Sequence, residues 1–211
     1  FFIQTLGASV TETVTTMEDK KHDINKIITQ DKVLFFDMDG TLVDTDYANY
    51  LSFKMAIQSV INPNQFLPFN SNERFNRTIL LREFPNLDDK DYQEIIRLKE
   101  SFYSENIGQT KLLPYANEIL NKFFELNTAV LVTNCREDRA IMTLSQHGLI
   151  DKFKHKIFRK SIDKDQRINK FKNALKTLDL EPQMIIAFEN EQFEIEEAVK
   201  AGIPIENIIS V

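Results

Sequence analysis

The stretch VLFFDMDGTLVDT, residues 33–45, joins four apolar residues directly to two aspartates and a glycine. A short apolar run bounded by turn residues is typical of a strand that is buried in a sheet. Asp37 and Asp39 follow this run, although the burial of unpaired carboxylates is energetically costly. The stretch therefore predicts a buried strand that ends in a turn whose acidic side chains serve a function.

Further apolar runs along the chain also predict buried strands. The predicted strands lie at 32–37, 128–133, 155–159, 184–189 and 207–211. Between the later ones, residues 115–127 and 165–179 carry apolar side chains at helical spacing. Strands that alternate with helices imply a parallel sheet covered on both faces. We therefore expect an α/β fold with a doubly wound, Rossmann-like parallel sheet.

Polar residues close three of the predicted strands. Asp37, Thr133 and Glu189 each stand at the carboxyl end of an apolar run. In open parallel sheets, ligands bind in the crevice outside the carboxyl ends of the strands. The sequence therefore predicts that these three side chains share one site.

The segment that follows the first strand is too long for a simple connection. From Thr41 to Thr133 it is about three times as long as the roughly 30 residues of a β-α-β unit. Helical patterns occupy 44–61, 72–83 and 88–106. The predicted domains are an N-terminal extension at 1–31, an α/β core at 32–43 and 114–211, and a helical cap at 44–113.

Composition excludes several classes of partner. The net charge of −6 argues against nucleic acid or an acidic membrane surface, since binding to phosphate backbones needs a basic face. The single cysteine, Cys135, gives no sign of an oxidising compartment, and no apolar run approaches the roughly 20 residues that span a bilayer. The first residues are a poor signal peptide, and 17–29 are expected to be helical. We therefore expect a cytoplasmic protein whose oligomeric state the sequence leaves open.

The acidic turn suits phosphoryl transfer. One carboxylate can attack phosphorus and form an aspartyl-phosphate, while the other protonates the leaving oxygen and later activates water. A cation must lie nearby because carboxylates repel a phosphate dianion, and Mg²⁺ accepts one or two carboxylates together with phosphate oxygens. The alternative is an Asp-rich turn without catalytic function, which leaves the polar ends of the other strands unexplained.

Three segments resemble the motifs of one known superfamily. DMDGT (37–41), LVTN (131–134) and IIAFENEQFEIEEAVKAGI (185–203) are similar to motifs of the haloacid dehalogenase-like hydrolases. The resemblance covers about residues 32–211. The position of the predicted cap, after the first motif, is that of the branch with a helical cap.

The resemblance implies roles for individual residues. By it, Asp37 is the nucleophile and Asp39 is the general acid and base, while Thr133 and Asn134 bind the transferring phosphate. Dehalogenases of the superfamily lack an aspartate at the position of Asp39. The resemblance therefore favours phosphoryl transfer over dehalogenation.

The resemblance also implies a magnesium site with one departure from the usual pattern. The implied site comprises Asp37, Asp39 through its backbone carbonyl, Glu189, Asn190 and Glu194. The last motif usually carries a second acid where this chain has Asn190. Its amide oxygen brings no charge, so we expect weaker metal binding unless Glu189 compensates.

The superfamily further requires a lysine that offsets the charge between the nucleophile and the phosphate. Lys164 and Lys170 both lie at suitable distances before Glu189, and the sequence does not separate them. Charged side chains of the cap offer further contacts to substrate, but we expect surface positions for Arg74, Arg77 and Arg82.

Together these features predict a Mg²⁺-dependent phosphatase that acts on a small phosphorylated metabolite. A sugar phosphomutase would use the same residues and remains open. A third alternative is a binding or regulatory module with weakened catalysis, which Asn190 motivates. The identity of the substrate cannot be read from the cap sequence.

Overall fold

The structure of the protein is a computed structural model that describes residues 24–63, 68–160 and 168–211. Lys164 and residues 17–23 of the expected N-terminal helix lie outside the described residues. The chain forms two compact units, residues 1–30 and 31–211. In the described part of the first unit, residues 24–27 are helical.

The second unit contains a five-stranded sheet that is flanked by helices. In chain order, the strands are β1 (Val33–Phe36), β2 (Val43–Asp44), β3 (Lys111–Leu112), β4 (Thr128–Val132), β5 (His155–Ile157), β6 (Ile185–Glu189) and β7 (Ile208–Ser210). The helices are α1 (Asp46–Val60), α2 (Arg77–Glu83), α3 (Asp89–Asn106), α4 (Pro114–Phe123), α5 (Glu137–Gln146), α6 (Lys170–Leu178) and α7 (Gln192–Lys200). None of the helices in the described residues is both long and apolar enough to cross a bilayer.

The strand order makes the sheet doubly wound. The order is β5-β4-β1-β6-β7 with every neighbouring pair parallel, so the chain moves outward from β1 in both directions. The five strands predicted from the apolar runs are all present within two residues of their predicted bounds. The α/β fold class expected from the sequence is confirmed.

The register of β1 aligns the carboxyl ends of three strands. Phe36 is level with Leu131 of β4 and with Phe188 of β6. Asp37 therefore emerges beside Glu189, the last residue of β6. Since parallel strands end at the same edge of a sheet, this edge gathers the acidic side chains.

Strand β1 is apolar throughout because both of its faces are covered, as is usual in parallel sheets. On one face, Phe35 belongs to a buried cluster that includes Phe171 and Leu175 of α6. On the other face, the Phe36 ring stacks on Phe188 with 4.4 Å between ring centroids. The buried core thus fixes the strand from which the acidic turn emerges.

Helices α1, α2 and α3 lie between β2 and β3, and we refer to this helical insert as the cap. The antiparallel pairing of Val43 with Leu112 and of Asp44 with Lys111 brings the two ends of this segment together. The sequence did not predict this pair, because two-residue strands are too short to show a periodic pattern. The buried apolar side chains of the cap include Tyr50, Phe53, Ile57, Phe75, Ile79, Leu80 and Ile95.

Helix α2 begins later than its apolar pattern suggested. The pattern extends over 72–83, whereas the helix starts at Arg77. The side chain of Asn76 accepts a hydrogen bond of 3.0 Å from the backbone N–H of Ile79, which is the usual chemistry of a helix N-cap. The N-cap thus leaves Arg74 in the loop before the helix.

The burial of β1 leads to a stability prediction. Leu34 is fully buried in the central strand, so Leu34→Ala leaves a cavity and should lower the free energy of unfolding by about 2–5 kcal/mol. The matched change Leu126→Ala removes a side chain that is 63% exposed and should alter it by no more than about 0.5 kcal/mol. Urea denaturation measures both values, and similar losses in the two variants would contradict the placement of β1 in the core.

Candidate active site

The turn after β1 depends on a glycine. Gly40 has a φ of +84°, and its N–H donates a hydrogen bond of 2.8 Å to the carbonyl of Val43. A Cβ at this position would collide with the amide nitrogen of Asn190, so no other residue fits without displacement. The tight turn presents both Asp37 and Asp39 to one cavity.

This cavity lies where the core meets the cap and has a volume of about 310 Å³. The ends of β1, β4 and β6 contribute Asp37, Thr133 and Glu189 to its wall. The cap contributes residues that include Lys99 from α3 and Arg74 from the loop before α2. Side chains that are far apart in the sequence therefore share one cavity.

Lys170, the first residue of α6, joins the acidic side chains in the cavity wall. Its ammonium group donates hydrogen bonds to Asp37 Oδ1 at 2.6 Å and to Glu189 Oε1 at 3.1 Å. Glu194 Oε2 lies 3.8 Å from the same nitrogen. All four side chains are buried, so three carboxylates surround one ammonium group.

The positive charge of Lys170 does not fully compensate the carboxylates of this cluster. Burial, together with the neighbouring charge of Asp37, raises the pKa of Glu189 to about 9, although Lys170 opposes the shift. Burial also raises the pKa of Asp37 against the effect of Lys170. Among the described residues, no hydrogen-bond partner reaches the buried Oε2 of Glu189. A further cation could therefore bind here, because it would add the missing positive charge and would contact this oxygen of Glu189.

Asp39 has the opposite environment. Burial disfavours its charged form, but Arg139 and Arg74 outweigh this effect and hold the pKa of Asp39 well below its usual range. Arg139 Nη2 lies 3.1 Å and Arg74 Nη2 lies 3.3 Å from Asp39 Oδ1, and the hydroxyl of Thr45 donates a hydrogen bond to the same oxygen. Asp39 is therefore ionised in this conformation.

Arg74 corrects one expectation from the sequence. It was expected at the surface, but it links the cap to the core through Asp39 and through Glu191 at 3.7 Å. Within the cap it also pairs with Asp46 at 3.2 Å. Arg82, in contrast, forms surface ion pairs with neighbouring glutamates. The charge pattern alone could not distinguish the two arginines, because their partners are set by tertiary contacts.

Arg139 is not among the site residues predicted from the sequence, although it lines the cavity. It lies on α5, and its guanidinium carbon is 4.3 Å from the centroid of the Tyr103 ring in the cap. The signal that could have revealed it is its position in the first turn of the helix after LVTN, close to the site edge of the sheet. Arg136 at the start of the same helix is exposed and pairs with Asp138.

The two polar residues of the second motif, Thr133 and Asn134, differ from each other in their contacts. The buried hydroxyl of Thr133 accepts a hydrogen bond of 3.1 Å from the N–H of Cys135, and Thr133 lines the cavity. The amide of Asn134 donates a hydrogen bond of 3.0 Å to Glu194 Oε1 and so fixes that carboxylate. Asn134 thus contacts the cluster around Lys170 through Glu194.

Asn190 is directed toward the turn. Its amide oxygen accepts a hydrogen bond of 3.1 Å from the hydroxyl of Thr41, and it is not part of the cavity wall. The other expected site residues in the described parts of the chain, Asp37, Asp39, Thr133, Asn134, Lys170, Glu189 and Glu194, all line the cavity. The role of Asn190 as a metal ligand stays a prediction.

Solved structures of other proteins share this architecture. A structure described as a predicted phosphoglycolate phosphatase from Haemophilus somnus has a TM-score of 0.69 and 21% identity, with 87% of this chain and 86% of that chain covered. A haloacid dehalogenase-like hydrolase from Streptococcus pneumoniae has a TM-score of 0.68 and 19% identity, with 87% and 85% covered. A hydrolase from Bacillus subtilis, described as bound to magnesium, has a TM-score of 0.60 and 15% identity, with 82% and 86% covered. At these identities the matches show a common fold.

The sequence itself matches a family model. The model is described as haloacid dehalogenase-like hydrolase, and it matches residues 34–208, which include all three motifs and the cap. The fold and the spatial order of the strand ends agree with this match. The chain therefore belongs to the family of haloacid dehalogenase-like hydrolases.

Proposed function

We propose that this protein is a Mg²⁺-dependent phosphatase that hydrolyses a small phosphorylated metabolite through an aspartyl-phosphate on Asp37. The observation that carries the proposal is the position of Lys170, which hydrogen-bonds both Asp37 and Glu189 in the cavity wall. A buried ammonium group that holds a carboxylate suits the attack of that carboxylate on a negatively charged phosphoryl group.

Asp37 would act as the nucleophile. Lys170 holds its Oδ1 atom, so the second carboxylate oxygen attacks phosphorus as the bond from phosphorus to the leaving oxygen breaks. Asp39 donates a proton to that leaving oxygen and afterwards takes a proton from a water molecule. The water oxygen then attacks phosphorus, phosphate leaves, and the carboxylate of Asp37 is restored.

Asp39 must carry a proton when the leaving group departs, whereas its arginine contacts keep it ionised in this conformation. The negative charge of a bound substrate would compete with Asp39 for Arg74 and Arg139. The loss of these contacts raises the proton affinity of Asp39, because the positive charges that favour its ionised form are now shared. Substrate binding and acid catalysis are linked in this way.

The transferring phosphoryl group needs fixed partners for its oxygens. Lys170 and the hydroxyl of Thr133 line the cavity next to Asp37 and would supply positive charge and a hydrogen bond. The cap covers the opposite side and would exclude bulk water during the reaction. The protein thereby replaces the hydration shell of the phosphate with preorganised groups.

The charge of these residues supports a magnesium ion as the cofactor. The buried Oε2 atom of Glu189, which lacks a hydrogen-bond partner among the described residues, faces a cluster with too little positive charge. Asp37, the backbone carbonyl of Asp39 and Glu189 would hold the ion, with Asn190 and Glu194 beside them. When bound, magnesium would offset the charges of the carboxylates and the phosphate. The magnesium in the related hydrolase from Bacillus subtilis supports this choice.

The module with weakened catalysis was suggested by the neutral side chain of Asn190. Its hydrogen bond with Thr41 and its contact with Gly40 give this residue a function in the turn that is independent of metal binding. The contacts with the turn explain an asparagine at this position, so Asn190 does not by itself favour the inactive module.

Removal of the nucleophile tests the mechanism. Asp37→Asn should lower the rate of p-nitrophenyl phosphate hydrolysis by roughly a thousandfold or more, because no covalent intermediate can form. Asp151→Asn, at an exposed position outside the cavity, should retain the wild-type rate. Circular dichroism verifies that both variants are folded, and a folded Asp37→Asn variant with wild-type activity would eliminate Asp37 as the nucleophile.

Removal of the metal tests the ligand set. Treatment with EDTA should abolish hydrolysis, and added Mg²⁺ should restore it and raise the melting temperature of the protein. Glu189→Gln should weaken the apparent Mg²⁺ affinity by about tenfold or more, since a charged ligand is lost. Glu196→Gln on the exposed side of α7 is the control and should leave this affinity unchanged. A melting temperature that does not respond to Mg²⁺ in the wild type would contradict a magnesium site.

Product analysis separates the phosphatase from a phosphomutase. With a hexose 1-phosphate as substrate, we expect inorganic phosphate and free hexose in equal amounts. Appearance of the isomeric hexose phosphate, detected by phosphorus NMR, would instead favour the mutase. The two reactions share the aspartyl-phosphate and differ in the acceptor of its phosphoryl group.

A further inference from the structure

A buried lysine in the cap has no function in the mechanism above. Lys99 lies on α3, is only 4% exposed, and lines the cavity that contains Asp37. Lysine side chains are almost never buried to this extent unless they are paired. The position therefore requires an explanation from its surroundings.

These surroundings are mostly aromatic. The Lys99 ammonium group lies 5.3 Å from the centroid of the Phe53 ring and 5.5 Å from that of Tyr103. Within the described residues its ion pair is with the adjacent Glu100, at 3.4 Å, and that carboxylate is partly exposed to solvent. A long contact of this kind compensates a buried ammonium group only in part.

A second buried cation increases the local positive charge. Burial, and next the charge of Arg139, lower the pKa of Lys99 to about 8. Arg139 is itself largely buried, with 13% of its side chain exposed, and its Nε atom has no hydrogen-bond partner among the described residues. Lys99 and Arg139, two cations that repel each other, thus face the cavity. The acid that contacts Arg139, Asp39, is shared with Arg74.

The charges are divided across the cavity. The acidic cluster around Lys170 stands on the side of β1 and β6, whereas Lys99 stands on the cap with Arg139 nearby. Two exposed arginines, Arg77 and Arg159, also line the cavity. A phosphate ester whose phosphoryl group lies at Asp37 would therefore have cations of the same cavity within reach of its leaving group.

We infer that Lys99 and Arg139 form a subsite for a second anionic group, so that the substrate is a phosphate ester whose leaving group carries a carboxylate or another phosphate. The inference rests on the proposed function for the position of the transferring phosphoryl group. A neutral leaving group would leave both cations without an added counter-charge in a poorly solvated space, which is unfavourable. An anion would pair with them by charge-assisted hydrogen bonds.

Esters that differ in a single charge test the subsite. One pair consists of 2-phosphoglycolate and 2-hydroxyethyl phosphate, and a longer pair consists of 3-phosphoglycerate and glycerol 3-phosphate. In at least one pair, the wild type should show a kcat/KM about tenfold or more higher for the anionic member, as expected for one hydrogen bond to a charged group. Lys99→Met should reduce this ratio by a similar factor, and Lys99→Arg should restore most of it.

The control variant is Lys90→Met, which removes an exposed lysine from the same helix and should leave the ratio unchanged. Absence of a preference for the anionic member in both pairs would overturn the subsite. So would a ratio that Lys99→Met does not change.

A binding measurement separates failure of the subsite from failure of the proposed function. Calorimetry on Asp37→Asn compares the affinities for 2-phosphoglycolate and 2-hydroxyethyl phosphate without any turnover. Tighter binding of the anionic ester, lost in the double variant with Lys99→Met, supports the subsite even if the wild type hydrolyses neither ester. Equal affinities of the Asp37→Asn variant for the two esters would overturn it, whatever the hydrolytic activity of the wild type.

Discussion

The site depends on one buried ammonium group, that of Lys170, which hydrogen-bonds Asp37 and Glu189. The two carboxylates lie at the ends of adjacent parallel strands, and burying both in ionised form without a shared cation would be costly. Glu194 approaches the same nitrogen from α7. The register of the sheet thus brings negative charges together at one edge, and Lys170 compensates them only in part.

The charges that line the cavity are unevenly distributed between its two sides. On the core side, buried carboxylates outnumber cations, and an oxygen of Glu189 has no hydrogen-bond partner within the described residues. On the side of the cap and α5, Lys99, Arg74 and Arg139 are buried or half-buried cations. A metal ion would compensate the negative charge of the core side, and an anionic substrate would compensate the positive charge of the other side. This division of charge is the basis for proposing a metal-bound phosphate ester as the substrate complex.

Much of the fold and part of the candidate site could be predicted from the sequence. The apolar runs were sufficient for the sheet, because buried parallel strands need continuous apolar residues, and the shared edge of Asp37 and Glu189 followed from the strand ends. The cations were harder to predict. Lys99 and Arg139 lie on helices where a charged residue normally indicates solvent exposure, and their burial results from contacts between the cap and the core. The contact of Asn190 with the turn was equally invisible, since it depends on how β1 and β6 are paired.

The most direct test of the whole account is a search for the covalent intermediate. The protein is mixed with a phosphate ester and Mg²⁺, quenched in acid during turnover, digested, and its peptides are analysed by mass spectrometry. We expect a phosphoryl group on the peptide that contains Asp37, and its loss on treatment with hydroxylamine, which cleaves acyl phosphates. Rapid hydrolysis of the ester without a phosphorylated Asp37 at any quench time would contradict the account.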